Sequence, residues 1–267
     1  MCDQFRGSLT EFEMAALVRP LLRSQFVLCE IVDRLLPERF RVDGHRHYRR
    51  EFVWEFVRPG MTVYDIGGGK YPLFSTEQKR ELGLKVCAVD IDATELTSAP
   101  VGSYDEVVCS DITHFRGKGD ADLIVCQATL EHVTDNRLSM ARLASILKPG
   151  GIALIFTPSR NAAYARLNLL LPERLKKDIL NAVYPEGKDG HGFPAHYDRC
   201  TPREFRRLAE SNGLEVLSLR PYFISGYFAF FFPLYLVWRL WVLFFYTMAR
   251  DNAAESFSMA LRKTSSF

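Results

Sequence analysis

From residue 61 onward, short apolar runs alternate with polar stretches of helical spacing. MTVYDIG, LKVCAVDID, YDEVVCSD, ADLIVCQATL and GIALIFTPS read as strands, several of them rich in β-branched residues. STEQKRELG and DNRLSMARLASILKPG between them read as helices, the second spanning 136–147, with Gly150 and Gly151 turning the chain into the next strand. This alternation predicts an α/β fold: a doubly wound, mostly parallel sheet covered by helices on both faces. Further on, TPREFRRLAESNGLEVLSLRPY predicts a helix with Thr201 as N-cap, Pro202 in the first turn and Glu204 completing a capping box, then a glycine stop and a strand. ESFSMALRK alternates as a closing strand. Upstream, residues 10–36 carry apolar side chains at helical spacing, interrupted by Pro20 and stopped by Pro37, which predicts one or two amphipathic helices. A basic stretch from Arg39 to Arg50, with His45, His47 and Tyr48, then runs into the helical EFVWEFV. It reads first as a solvated helix face, with contact to a phospholipid or an acceptor phosphate as the alternative.

One segment departs from this pattern. Of the 34 aromatic residues, 13 fall between Tyr222 and Tyr246. The stretch Tyr222–Ala249 holds a single charge, Arg239, and is flanked by Arg220 and Arg250. Pro233 and Arg239 interrupt it, leaving apolar pieces of 17 and 10 residues around the arginine. Because strands on either side are expected in one sheet, a single crossing of a bilayer would separate them. A shallow helical hairpin in the membrane interface satisfies both constraints, and a pocket cap or dimer surface is the bland alternative.

Composition narrows the class. Apolar residues make up 48% of the 267, enough for a large core, and the formal net charge of +2 offers no basic field for nucleic acid. The six cysteines show no metal-ligand spacing, so no metal is expected. Cys87, Cys109 and Cys126 sit in strand-like runs as buried, reduced thiols of a cytoplasmic protein. Asp3, Glu11 and Glu13 precede any apolar stretch, unlike a secretory signal.

The sharpest chemical signal is Val63-Tyr64-Asp65-Ile66-Gly67-Gly68-Gly69-Lys70-Tyr71-Pro72, a strand running into a glycine turn. Open α/β sheets bind ligands at such carboxyl ends. A P-loop would need Ser or Thr after Lys70, and a dinucleotide fingerprint would need glycine where Pro72 stands. An acidic residue two positions before the first glycine repels phosphate and suits a cationic ligand. Asp90, at the end of AVDID, is placed to hold ribose hydroxyls. Asp111 after the third strand could accept from an adenine amino group, and Gln127 ends the fourth strand.

DIGGG, AVDID, SDIT, the LEHV run and LKPGG occur in an order that resembles the class I S-adenosylmethionine (SAM)-dependent methyltransferases, specifically the small-molecule type that includes the quinone-biosynthesis enzymes. The resemblance implies a Rossmann-like fold and SAM as cofactor. It places Asp65 near the methionine amino end, wraps Gly67, Gly68 and Gly69 around the cofactor, and sets Asp90 with Ile91 at the ribose and Asp111 with Ile112 at the adenine. Tyr71 departs from it, standing where many members have a third glycine of the motif. The resemblance starts a helix at LEHV, with Glu131 as its N-terminal charge and His132 beside the cofactor.

Methyl transfer is an in-line displacement that alignment and exclusion of water accelerate, while a hydroxyl acceptor must also lose a proton. In the resemblance, 159–200 covers the acceptor site, where SRNAAYARLNLLLPERLKKDIL predicts a basic helix pair. The loop after it offers His196 as first candidate base and His191 as second, with His132 third. The expected organisation is N-terminal helices over 1–60, a SAM-binding core over 61–158 and an acceptor-site lid over 159–200. The core resumes at 201–220 and 254–267 around the apolar insertion 221–253. The expected activity is O-methylation of a lipidic or membrane-associated acceptor by a cytoplasmic protein docked on the inner face of the membrane. A catalytically silent SAM-binding partner protein and a soluble small-molecule methyltransferase are the rivals.

Overall fold

A computed structural model describes residues 11–171 and 193–264. Its centre is a seven-stranded sheet in the order β3-β2-β1-β4-β5-β7-β6. The strands are β1 (Thr62–Ile66), β2 (Lys85–Asp90), β3 (Glu106–Cys109), β4 (Ala121–Gln127), β5 (Leu147–Pro158), β6 (Leu214–Tyr222) and β7 (Ser256–Lys263). β7 alone runs antiparallel, inserted between β5 and β6. The winding direction reverses between β1 and β4, so the crevice outside their carboxyl ends is the topological switch point where such sheets bind ligands.

The helices follow from local signals. α3 (Thr76–Glu81) begins with a capping box between Ser75 and Gln78, and Asp92 caps α4 (Ala93–Thr97). Asp135 caps α5 (Asn136–Ile146) through the N–H groups of Arg137 and Leu138. Thr201 caps α7 (Pro202–Glu210) through the Glu204 N–H, without the reciprocal half of the expected box. Where one or two helices were expected there is one, α1 (Glu11–Arg34), which carries Pro20 inside it. Two apolar cores cover the two sheet faces, one centred on Ile124, Met140, Ile155 and Phe205, the other on Tyr48, Phe52, Leu123 and Leu154. Cys87 and Cys126 are buried as expected, but Cys109 is exposed, because β3 is an edge strand with one face in solvent.

The basic stretch packs on the sheet. It winds through α2 (Gly44–His47), a π turn at Tyr48–Phe52 and a 3-10 turn at Val53–Glu55. Tyr48 is wholly buried; its hydroxyl donates to Leu154 O at 2.8 Å and accepts from Cys126 N at 3.4 Å. Gly44 permits the approach, since a Cβ there would stand 2.5 Å from the Tyr222 ring. The solvated-face reading therefore holds for only part of this stretch.

The aromatic segment is one helix, α8 (Phe232–Ala249), reached by the turn residues 223–231, and not the expected hairpin. α8 packs beside α1 in a third apolar cluster with Cys29, Phe40, Tyr235, Trp238 and Val242. Arg239 does not break the outer face, because it points inward and is 1% exposed. Its Nε lies 3.0 Å from Asp33 Oδ1, and its two NH groups donate to Phe223 O and Phe40 O at 2.7 and 2.8 Å. Tyr235 closes the network by donating to Asp33 Oδ2.

Candidate active site

The site forms where β1, β2 and β4 end. β1 leads into Gly67 and Gly69, both at positive φ, so the turn folds back over the strand ends at little steric cost. A Cβ on Gly67 would meet Thr129 Oγ1 at 2.2 Å, and one on Gly68 would meet the Asp65 carboxyl at 2.6 Å. Thr129 holds the opposing loop by donating to Ile66 O at 3.1 Å. Asp65 is 4% exposed and accepts from Leu73 N at 3.0 Å. Burial pushes its carboxyl up to about 6, against the lowering effects of that hydrogen bond and of the nearby Arg49, while Asp90 raises it further. Asp90 accepts from Asp92 N at 3.0 Å, and its carboxyl is also raised, by burial first and by the neighbouring Glu95 and Asp92 charges.

Two cavities meet at this turn. The larger, about 440 Å³, is lined by Asp90, Ile91, Asp111, Ile112, Thr129 and, across from them, His132 and His196. The smaller, about 190 Å³, is lined by Asp65, Gly68, Tyr71, Gln127, Arg49 and His45. Gly67 and Ala128 border both. Asp111 is held by a local turn, its Oδ1 accepting from Thr113 N and Oγ1 at 2.7 and 2.8 Å. Every cofactor residue expected from the sequence except Gly69 thus lines one of the two cavities. Gly69 lies behind the turn, where its carbonyl accepts from the Tyr104 hydroxyl at 3.0 Å.

The histidines separate. His196 and His132 face the Asp90 compartment; His196 N donates to Glu131 O at 2.7 Å, and the His132 ring lies 3.2 Å from Pro194 O through Nδ1. His191 lies outside the described residues. Glu131 is no helix-terminal charge. It sits in the 3-10 turn Leu130–His132, 4% exposed, with Thr157 Oγ1 donating to it at 3.3 Å, and burial pushes its carboxyl up to about 8. Sequence reasoning missed Arg49 and His45. Arg49 donates to Pro72 O at 3.0 Å, Leu73 O at 3.3 Å and Gln127 Oε1 at 3.4 Å, tying the π turn to the glycine turn. A π turn in an otherwise helical run often marks a functional position, but its sequence carries no signature that would have announced it.

The donor set decides what fits. Carboxylates occupy both compartments, and among the described residues the larger one is lined by no Lys or Arg, a lining that does not favour a polyphosphate. An elongated ligand with a cationic end, a diol and a flat base matches the two connected spaces. This is the fold and the cleft of the class I SAM-dependent methyltransferases. The chain belongs to the methyltransferase-domain family, whose model matches residues 24–219, and SAM is the cofactor for which the fold is built. It is 27% identical over 168 residues to a ubiquinone biosynthesis O-methyltransferase from Cupriavidus pinatubonensis, covering 60% of this chain and 63% of that one. A Burkholderia pseudomallei enzyme of the same name is 26% identical over 186 residues, covering 67% and 71%. In fold the chain is similar to a Haemonchus contortus phosphoethanolamine N-methyltransferase solved with SAM, at a TM-score of 0.54 and 15% identity, covering 85% of this chain and 54% of that one.

Proposed function

We propose that this chain is an O-methyltransferase that uses SAM to methylate a lipidic acceptor drawn from a membrane surface. In this reading Asp65 holds the cofactor's amino end, Asp90 accepts from its ribose hydroxyls, and Asp111 with Ile112 faces its base. The chemistry supplied by the bound cofactor is an activated methyl group on a sulfonium sulfur. The residues do the rest: the glycine turn and Thr129 fix the orientation, and the two cavities exclude water from it. His196 is the proton acceptor for a hydroxyl substrate, with His132 beside it. His45, on the Asp65 compartment, is its competitor from the opposite wall.

The lipidic part rests on one observation, the apolar outer face of α8, which continues on α1 around the exposed Glu30–Arg34 pair. Val237, Leu240, Trp241, Phe244 and Met248 project outward from α8, Phe26, Val27 and Ile31 from α1, and Leu35 from the turn that follows it. α6 (Ala163–Leu170) extends the patch with Leu167 and Leu170, and Arg166 packs over the Phe245 ring. α8 is long and apolar enough to cross a bilayer, yet Tyr222 pairs with Ser256 on its two sides. A crossing would leave the irregular 223–231 return in hydrocarbon with unsatisfied backbone groups, so the helix lies flat in the interface. The resemblance in sequence to ubiquinone-biosynthesis enzymes supports a quinone-like lipid; a lipid-linked glycan precursor is the other fitting class.

The test is incubation with methyl-labelled SAM and a membrane extract, followed by extraction into organic solvent. Label is expected in the lipid fraction. It should fall about tenfold in Trp241→Ser/Phe244→Ser, which removes two exposed aromatic anchors while leaving S-adenosylhomocysteine affinity unchanged. Label confined to water-soluble products would overturn the lipidic reading.

A further inference from the structure

The basic stretch carries more charge than the cofactor cleft uses. Anchored by Tyr48 and Phe52, the turns at 44–52 direct His45, Arg46, Arg49 and Arg50 toward one hollow of about 600 Å³, closed by Trp54 and by the 72–78 turn. Among the described residues, no Asp or Glu lines this hollow. Elsewhere many surface cations are paired, as in Lys70–Glu95, Lys79–Asp105 and Arg262–Glu215. Among the described residues, Arg46, Arg49 and Arg50 form no ion pair. The nearby Asp43 carboxylate caps the Arg46 N–H at 2.8 Å, within the backbone of α2. Trp54 Nε1 donates to Arg49 O at 2.9 Å, and its ring meets Phe74 edge-on, so one wall of the hollow is built and apolar.

Position gives this charge a use. The hollow shares His45, Arg49 and Leu73 with the Asp65 cavity, so the two are neighbours across a single arginine side chain. A concave cationic surface with an apolar wall concentrates anions, and guanidinium forks match phosphate oxygens in pairs. The cofactor cleft is unsuited to phosphate, because carboxylates line both of its compartments.

Resting on the methyltransferase reading above, we propose that Arg46, Arg49 and Arg50 bind a phosphate group of the acceptor, placing the acceptor beside the Asp65 compartment. The acceptor is then a phosphate-bearing lipid, which favours the lipid-linked glycan precursor over the quinone-like lipid.

The test titrates inorganic pyrophosphate into the full chain by calorimetry, comparing the wild type with Arg46→Gln/Arg50→Gln. Both residues are exposed, and neither touches the cofactor cleft. Saturable binding is expected in the wild type, weakened by about tenfold or more in the double variant, with S-adenosylhomocysteine affinity unchanged. No saturable binding up to about 10 mM, or equal affinity in both proteins, overturns the proposal. Failure of the wild type to bind S-adenosylhomocysteine would strike the cofactor reading instead, and is measured separately. Sedimentation with phosphatidylglycerol vesicles identifies the source of the phosphate. Unchanged vesicle binding in the variant assigns it to the acceptor, and loss of vesicle binding in step with pyrophosphate assigns it to lipid headgroups and overturns the acceptor assignment. Loss of vesicle binding without any pyrophosphate affinity also overturns the proposal.

Discussion

The α1–α8 layer and the rim of the sheet treat buried charge in opposite ways. In the helical layer Arg239 is sealed from solvent, but it is held by an ion pair and two carbonyls, and its partner Asp33 also receives the Tyr235 hydroxyl. At the rim Asp65 is equally deep, yet among the described residues it accepts only the Leu73 N–H, and burial raises its carboxyl to about 6. A buried charge held by an opposite charge and by carbonyls is architecture, because removing one partner leaves the other stranded. A buried carboxylate that is incompletely compensated is instead a place for a cation to bind. The same distinction separates Arg239 from Arg46 and Arg50, which face a hollow with no carboxylate among its described lining residues.

The largest effect should come from the helical layer. Arg239→Ala leaves Asp33 without its counter-charge and two carbonyls without their donor, and is expected to lower unfolding free energy by about 3–5 kcal/mol in denaturant titration. A change under about 1 kcal/mol would mean that the network is not structural and would erase the contrast. At the rim, Asp90→Ala should leave stability nearly unchanged but weaken S-adenosylhomocysteine binding by about a hundredfold, the worth of two charge-assisted hydrogen bonds. Equal affinity by calorimetry would refute its assignment to ribose.

The smallest effect is in pH. Because the Asp65 carboxyl is raised, cofactor affinity should be flat above pH 6 and fall by about tenfold per unit below it, as the carboxyl takes up a proton. The sign for stability is the reverse. The folded state holds this proton more tightly than the unfolded chain, so the Asp65 contribution to stability declines as pH rises from about 4 to 6. Asp65→Asn should remove both dependences. A variant that keeps the wild-type pH profile of binding would assign the titration to another group.

Much of the rim was legible before any coordinates. The DIGGG turn needs glycines because Gly67 and Gly68 meet Thr129 and Asp65 at distances no side chain tolerates. The acidic ends of β1 and β2 follow from strand periodicity. Less legible were contacts between distant segments: His196 and His132 share a cavity with Asp90, and that depends on how 193–200 docks against the Leu130–His132 turn. Arg49 was passed over because a run of basic residues looks the same in sequence whether it faces water or a cleft. Cys109 was placed inside because its strand is apolar, and only the sheet order makes that strand an edge.

The amino-acid sequence by itself determined the alternation of strands and helices, the position of the glycine turn and the family, since each depends on neighbours within a few residues of one another. Tertiary structure alone decided that the aromatic segment is one helix with its arginine turned inward, and that the basic stretch opens onto the Asp65 compartment. Both outcomes rest on partners about 200 and 78 positions away, Asp33 and Phe40 for Arg239, Gln127 for Arg49. Local periodicity carries no information about which of two apolar or charged faces will find such a partner.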